Sequence, residues 1–162
     1  MNTTSGVPTT RAGRLMGVLI PAAAVLLVIG FFAAHQIWST GFFLPGFGVT
    51  MAWLFYASLL YTIVLVATST YRDKNSRTVF VVNLAGAVLW TVTTVWLWIA
   101  FPFNFAHLAD VVPSPLQFTL TWITPGIGKT LWALLALGSA AFIPFFILQY
   151  ATRHRNHYQL RT

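Results

Sequence analysis

Residues 15–38 read LMGVLIPAAAVLLVIGFFAAHQIW, with no acid, lysine or arginine among them. A helix rises about 1.5 Å per residue, so roughly 20 apolar residues cross a ~30 Å hydrocarbon core. The stretch is long enough to do so. Arg11 and Arg14 precede it, as basic residues precede the apolar core of a secretory signal. Such a core holds only about 7–15 residues, and the run from 15 to 34 exceeds that. Phe32-Ala33-Ala34 also lacks a small residue three positions before a cut. The stretch is expected to be a retained membrane helix. Pro21 either kinks it or marks a late start.

The pattern recurs at about 50–70, 79–101 and 127–150. Hydrophobic residues make up 57% of the 162-residue chain and charged residues 7%. A soluble domain carries roughly 25% charged residues, and a disordered chain is polar and highly charged. Both classes are excluded. The expected fold is an all-α membrane protein of four transmembrane helices over residues 11–152. A flexible tail over 1–10 precedes it and a basic tail over 153–162 follows. Pro144 should kink the fourth helix unless Ser139 or a neighbouring helix satisfies the freed carbonyl.

The formal net charge of +7 does not form one patch, so nucleic acid is not an expected partner. Arg11, Arg14, Arg72, Lys74, Arg77, Arg153, Arg155 and Arg161 flank the apolar runs on one side, and Lys129 alone falls on the other. Eight against one is a positive-inside pattern. Both termini are expected in the cytoplasm and the chain in a prokaryotic plasma membrane, with the lipid bilayer as its first partner. The loops at 39–49 and 102–126 then face outward. Trp38, Trp96, Trp98 and Trp122 fall near the outer boundary, and Tyr71 and Tyr150 near the inner one, as an interfacial belt does.

The outer segment PFNFAHLADVVPSPLQFTLTWITPG (102–126) is too apolar for a solvated loop. It is expected to lie in the interface or to dip back into the bundle. Ser114-Pro115 looks like a cap followed by proline at the first helical position, which predicts a short helix over 115–123. Against this, Leu116, Phe118, Leu120 and Trp122 alternate with polar residues, a period of two that favours a strand. An isolated strand there would leave its backbone unpaired, so the helix is preferred. Thr124-Pro125 repeats the cap pattern and can open the fourth helix. His107 and Asp110 stand three apart, on one face of a helical turn. Their first expected role is a hydrogen bond that tethers the segment. With His35 they are also a weak candidate metal or proton site. Phe103, Phe105, His107, Leu108 and Asp110 are the candidate partner-contact or tethering residues.

The string Phe101-Pro102-Phe103-Asn104-Phe105-Ala106-His107-Leu108-Ala109-Asp110, followed by Trp122-Ile123, resembles a segment of short prokaryotic four-span membrane proteins that have no established activity. Their pattern is similar to F-P-F-[DN]-F-x-H-x-x-D, and the resemblance covers roughly residues 100–130. It implies that His107 and Asp110 belong to a family feature. It brings no catalytic residue with it.

Intramembrane ionisable residues mark functional sites, and no span carries one at its centre. No span offers a central histidine for haem, no cysteine exists, and no catalytic-site or phosphate-loop motif appears. No cofactor is expected. The milder polar groups Tyr56, Ser58, Tyr61, Thr62, Asn83, Thr91, Thr93 and Thr94 suit hydrogen bonds between helices. The leading expectation is a non-enzymatic accessory or oligomer-forming subunit. It would act through helix and outer-segment contacts with another membrane protein or with its own copies. One alternative is a small-molecule or ion transporter with a polar path through Asn83, Tyr56 and Tyr61. A second is a membrane enzyme with an outer His107/Asp110 site.

Overall fold

The computed structural model describes residues 11–72 and 76–159, with side chains as far as 152. The tail expected over 1–10, Lys74, and the side chains of Arg153, Arg155 and Arg161 lie outside the described residues. Four helices carry the fold: α1 (Arg11–Ile37), α2 (Val49–Tyr71), α3 (Arg77–Ala100) and α4 (Pro125–Gln159). Each is long and apolar enough to cross a membrane, which is consistent with an integral membrane protein. α1 begins at Arg11, so Pro21 does not mark a late start but lies inside the helix.

The helix ends follow local chemistry. Ser76 caps α3 by accepting from the Val79 N–H at 3.2 Å. Thr124 opens α4 as expected, its hydroxyl oxygen accepting from the Ile127 N–H, with Pro125 at the first position. α3 ends on Phe101 in the left-handed region (φ 39°). That conformation costs an L-residue roughly 1–2 kcal/mol. The Phe101 ring offsets it by stacking on Phe105 at 5.8 Å, and Lys129 Nζ sits 5.8 Å from its centroid.

The helices pack in chain order: α1 against α2, α2 against α3, and α3 most extensively against α4. α1 and α4 share no extended interface. The bundle is therefore open along one side. Its middle is joined by small polar groups. The Ser58 and Thr93 hydroxyls meet at 2.7 Å, Trp90 Nε1–H donates to Thr62, and Tyr61 donates to the Val82 carbonyl. The Thr94 and Ser139 hydroxyls link α3 to α4 at 3.4 Å. Such bonds contribute about 0.6 kcal/mol each between membrane helices. Gly86 lets α2 and α3 approach, since a Cβ there would lie 2.9 Å from both Leu65 and Tyr61. Ser139 also donates to the Ala136 carbonyl rather than relieving Pro144.

The short helix expected over 115–123 is present, but as a 3-10 helix that is shorter and starts one residue earlier. The segment after α3 forms two 3-10 turns, Phe105–His107 and Ser114–Thr119. Ser114 caps nothing with its side chain; Pro113 holds the cap position. The turn hydrogen bonds run three residues back, as from Leu116 to Pro113 and Leu120 to Gln117. Side chains of a 3-10 helix eclipse every three residues. Gln117, Leu120 and Ile123 are accordingly half-buried, while Leu116, Phe118 and Trp122 are exposed. The apparent period of two was neither strand nor α-helix.

Candidate functional site

The outer ends of the helices close over an aromatic cap. Residues 42–44 and 102–104 meet in an isolated antiparallel bridge at Phe43 and Phe103. The Asn104 N–H donates to the Phe42 carbonyl at 2.7 Å, and the Leu44 N–H to the Pro102 carbonyl at 3.0 Å. This pairing sets Phe42 at the centre. Its ring lies 5.4 Å from Phe103, 5.8 Å from Phe105 and 4.6 Å from His35. Phe103 in turn stacks flat on Trp132 of α4, 5.5 Å between centroids.

Of the five partner-contact or tethering candidates, Phe103, Phe105 and Leu108 turn inward and His107 and Asp110 stay partly exposed. Phe103 is 4% exposed and Leu108 7%, and Phe105 packs against the same cluster. These side chains tether the outer segment to the chain's own helices. Replacing them with serine would attack the fold and could not read out association. Apolar residues left outside on this end include Ile37, Trp38, Val49, Ile99, Leu116, Phe118 and Trp122, with Trp53 in the first turns of α2. Trp96 and Trp98 are partly exposed beside them.

His35 is the hub of the cap and is 1% exposed. Its Nε2 lies 3.2 Å from the Leu108 carbonyl, which can only accept, so Nε2 carries the proton. Nδ1 then accepts from the Thr40 hydroxyl at 2.6 Å. Both ring nitrogens are spent inside the protein. Sequence spacing gave no sign of this, because Leu108 is 73 positions away.

His107 and Asp110 do form the expected hydrogen bond, His107 Nδ1–H donating to Asp110 Oδ2 at 2.8 Å. The His107 ring rests on Gly41, where a Cβ would stand 3.3 Å from its Cδ2. Gly41 has φ +87°, a left-handed turn that suits glycine. With His35 engaged elsewhere, the suggested His35/His107/Asp110 ligand set does not assemble. Among the described residues no group of three His, Asp or Glu could hold a metal ion. His107 and Asp110 are 42% and 44% exposed, so solvent screens their pairing. His107→Ala is expected to change unfolding free energy by no more than about 1 kcal/mol, measured by thermal unfolding in mild detergent.

The proposed polar path is dispersed. Tyr56 donates to Gln36 Oε1 at 2.9 Å and bridges α1 to α2. Tyr61 is committed to the Val82 carbonyl between α2 and α3. Asn83 hydrogen-bonds to neither and lines a cavity against α4.

What the sequence did not disclose is a slot on the open side of the bundle. Its outer part, about 320 Å³, lies between Val28 and Phe32 of α1 and Leu131 and Leu135 of α4, under the aromatic cap. Its inner part, about 390 Å³, runs between Leu65 of α2 and Gly138 and Phe142 of α4. Both parts share Trp90 and Leu135. Gly128 carries the seat of Phe105 at the outer end, where an added Cβ would lie 2.5 and 2.6 Å from the ring's two Cε atoms.

No protein-family model, curated protein or solved structure matches this chain.

Proposed function

We propose that the chain is a non-enzymatic integral membrane protein that works by contact in the plane of the bilayer. It serves as an accessory subunit of a larger assembly or assembles with its own copies. The distribution of lysine and arginine supports an orientation with both termini cytoplasmic, and the outer-segment string supports a place among the short prokaryotic four-span proteins it resembles.

One observation carries the reading. No residue in the apolar window of α1 is buried inside the chain. α1 is held at its outer end, through His35, Gln36 and the phenylalanines, and from Arg11 to Ile20 every residue but Val18 is exposed. Ala23 and Gly30 stand two turns apart on one exposed face, among Met16, Leu19 and Leu27. Lipid tails are as apolar as leucine, so helices associate in a membrane by close packing at small residues. This face offers that packing and has no partner within the chain.

Native mass spectrometry of tagged protein, gently extracted from its membrane, tests the proposal. The expected result is a defined companion protein or a homo-oligomer. Gly30→Phe should abolish it. A Cβ at Gly30 meets nothing within 4 Å, so the monomer itself should stay folded. A bare monomer from the parent chain, or association unaltered by Gly30→Phe, would overturn this reading.

A further inference from the structure

The slot on the open side has the dimensions of a lipid chain. Its α4 wall, from Gly128 to Phe146, covers about five helical turns or about 27 Å, most of the thickness of a hydrocarbon core. The two cavities of about 320 and 390 Å³ are spread along that length. A helix with its side chains is about 10–12 Å across and would need several times the cross-section. The slot is too narrow for a helix of a partner or a second copy, and wide enough for one hydrocarbon chain.

Its chemistry is as specific as its shape. The walls are phenylalanine, tryptophan, leucine and small residues. Trp90 has given its N–H to Thr62, and Ser139 has given its hydroxyl to the Ala136 carbonyl. Asn83 is the exception. Its half-buried amide lines the inner cavity and has no hydrogen-bond partner among the described residues. An unsatisfied amide in an apolar setting is costly, and no water fills a hydrocarbon core to relieve it. The occupant should therefore carry a hydrogen-bonding group at the height of Asn83. Asn83 lies six residues from Arg77, the first residue of α3, or about 9 Å along the axis. In a phospholipid the ester carbonyls sit just below a headgroup, and a headgroup at the level of Arg77 meets a cationic rim.

We propose that the slot holds one acyl chain of a cytoplasmic-leaflet phospholipid. An ester carbonyl accepts from Asn83 Nδ2–H, and the chain end lies under the aromatic cap. The cap is what makes the slot blind. Phe103 and Phe105 fill the outer end, so the chain enters sideways between α1 and α4 and stops beneath Phe42 and Leu108. The site is independent of the exposed α1 face that carries association.

The full-length protein in vesicles of phosphatidylethanolamine and phosphatidylglycerol, doped with a phospholipid bearing a diazirine on one acyl chain, gives the test. Irradiation should label Trp90 and the α4 stretch from Leu134 to Phe146 on its slot face, as mapped by peptide mass spectrometry. Gly138→Leu fills the inner cavity, and a Cβ there meets nothing within 4 Å, so this variant should fold and lose slot labelling. Asn83→Leu should lower slot labelling about fivefold, the weight of one hydrogen bond. Gly17→Leu is equally unhindered and lines neither cavity, and should leave labelling unchanged. Thermal unfolding checks that all three remain folded; should Gly138→Leu not fold, Asn83→Leu carries the test alone. Slot labelling indifferent to both slot variants would overturn the proposal. So would labelling confined to the outward faces of the helices, or cross-links from the slot to a second polypeptide.

Discussion

A Gly128→Ala protein is expected to unfold more easily than the parent by about 3 kcal/mol, at the upper end of the range for overpacking. Helix propensity alone argues the reverse, since alanine in place of a helical glycine stabilises by roughly 1 kcal/mol. Packing decides the sign. The new methyl would stand 2.5 Å from Phe105 Cε2 and closer still to its tip. Neighbouring rings leave it only the slot to retreat into. Phe101 stacks on one side at 5.8 Å, and Phe42 and Phe103 present their rings at 5.8 and 6.3 Å on the others. Phe105 also opens the 3-10 turn Phe105–His107, so displacing it moves backbone that positions Leu108 over His35. The measurement is thermal unfolding in mild detergent for Gly128→Ala, Phe105→Leu and the pair. The shorter leucine should make room, so the double variant should be less damaged than the sum of the singles by about 1–2 kcal/mol. A Gly128→Ala protein that is more stable than the parent would mean that Phe105 does not seat against α4.

The same contact shows which part of the fold could be read in advance. The four helices were legible because each rests on a long apolar run that ends in glycine, proline or charge. Residues 50–70 were expected and Val49–Tyr71 observed, and residues 79–101 were expected against Arg77–Ala100. Thr124-Pro125 announced the start of α4 through a local rule that needs no knowledge of the rest of the chain. The hydrogen bond between His107 and Asp110 is local in the same sense. Wherever a partner lies far along the chain, the sequence was silent. It could not say that Gly128 serves Phe105, that Gly86 serves Leu65 and Tyr61, or that His35 reaches Leu108. Nor could it give the order of packing, because apolar surface that faces lipid and apolar surface that faces another helix have the same composition.

The outer segment shows a second limit. Its apolar character fits the membrane interface, a partner's surface and the chain's own bundle equally well, so hydropathy could not choose among them. Phe103 and Leu108 face inward while Phe118 and Trp122 face outward, and hydropathy alone assigns all four the same role. The division follows from backbone: the bridge between Phe43 and Phe103 turns the first part of the segment under the cap, and a period of three through the 3-10 helix Ser114–Thr119 and the turn after it turns Gln117, Leu120 and Ile123 inward. The slot is the by-product of this arrangement. The cap gathers the outer ends of α1 and α4, which share no extended interface among the described residues, and the side between them stays open.

His35 supplies the sharpest separation between structure and ligand binding. His35→Ala is expected to destabilise by about 3–4 kcal/mol, the sum of a core cavity and two abandoned hydrogen-bond partners. The ring it removes packs edge-on to Phe31 at 4.9 Å and against Phe42 at 4.6 Å. His35→Phe divides that cost. It keeps an aromatic ring in a similar volume but leaves the Leu108 carbonyl without its donor and the Thr40 hydroxyl without its acceptor, while Thr40 Oγ1 still accepts from the Phe42 N–H. It should therefore cost about 1–3 kcal/mol, the penalty for unsatisfied buried polar groups. The expected order of thermal stability is parent, then His35→Phe, then His35→Ala, with His107→Ala close to the parent. A metal-site role predicts a different order: both histidines would matter, the phenylalanine would be no better than the alanine, and added divalent ions would stabilise the parent alone. If the tether between α1 and Leu108 is what holds the open side apart, both His35 variants should also expose the cap. Fluorescence of Trp132, which stacks on Phe103 beneath it, should then shift to the red as water reaches the ring. The emission is best followed in a background where the other tryptophans are phenylalanine. Loss of stability without that shift would mean the cap is held by its phenylalanines alone, and His35 would then be a core residue rather than the hinge pin between α1 and the outer segment.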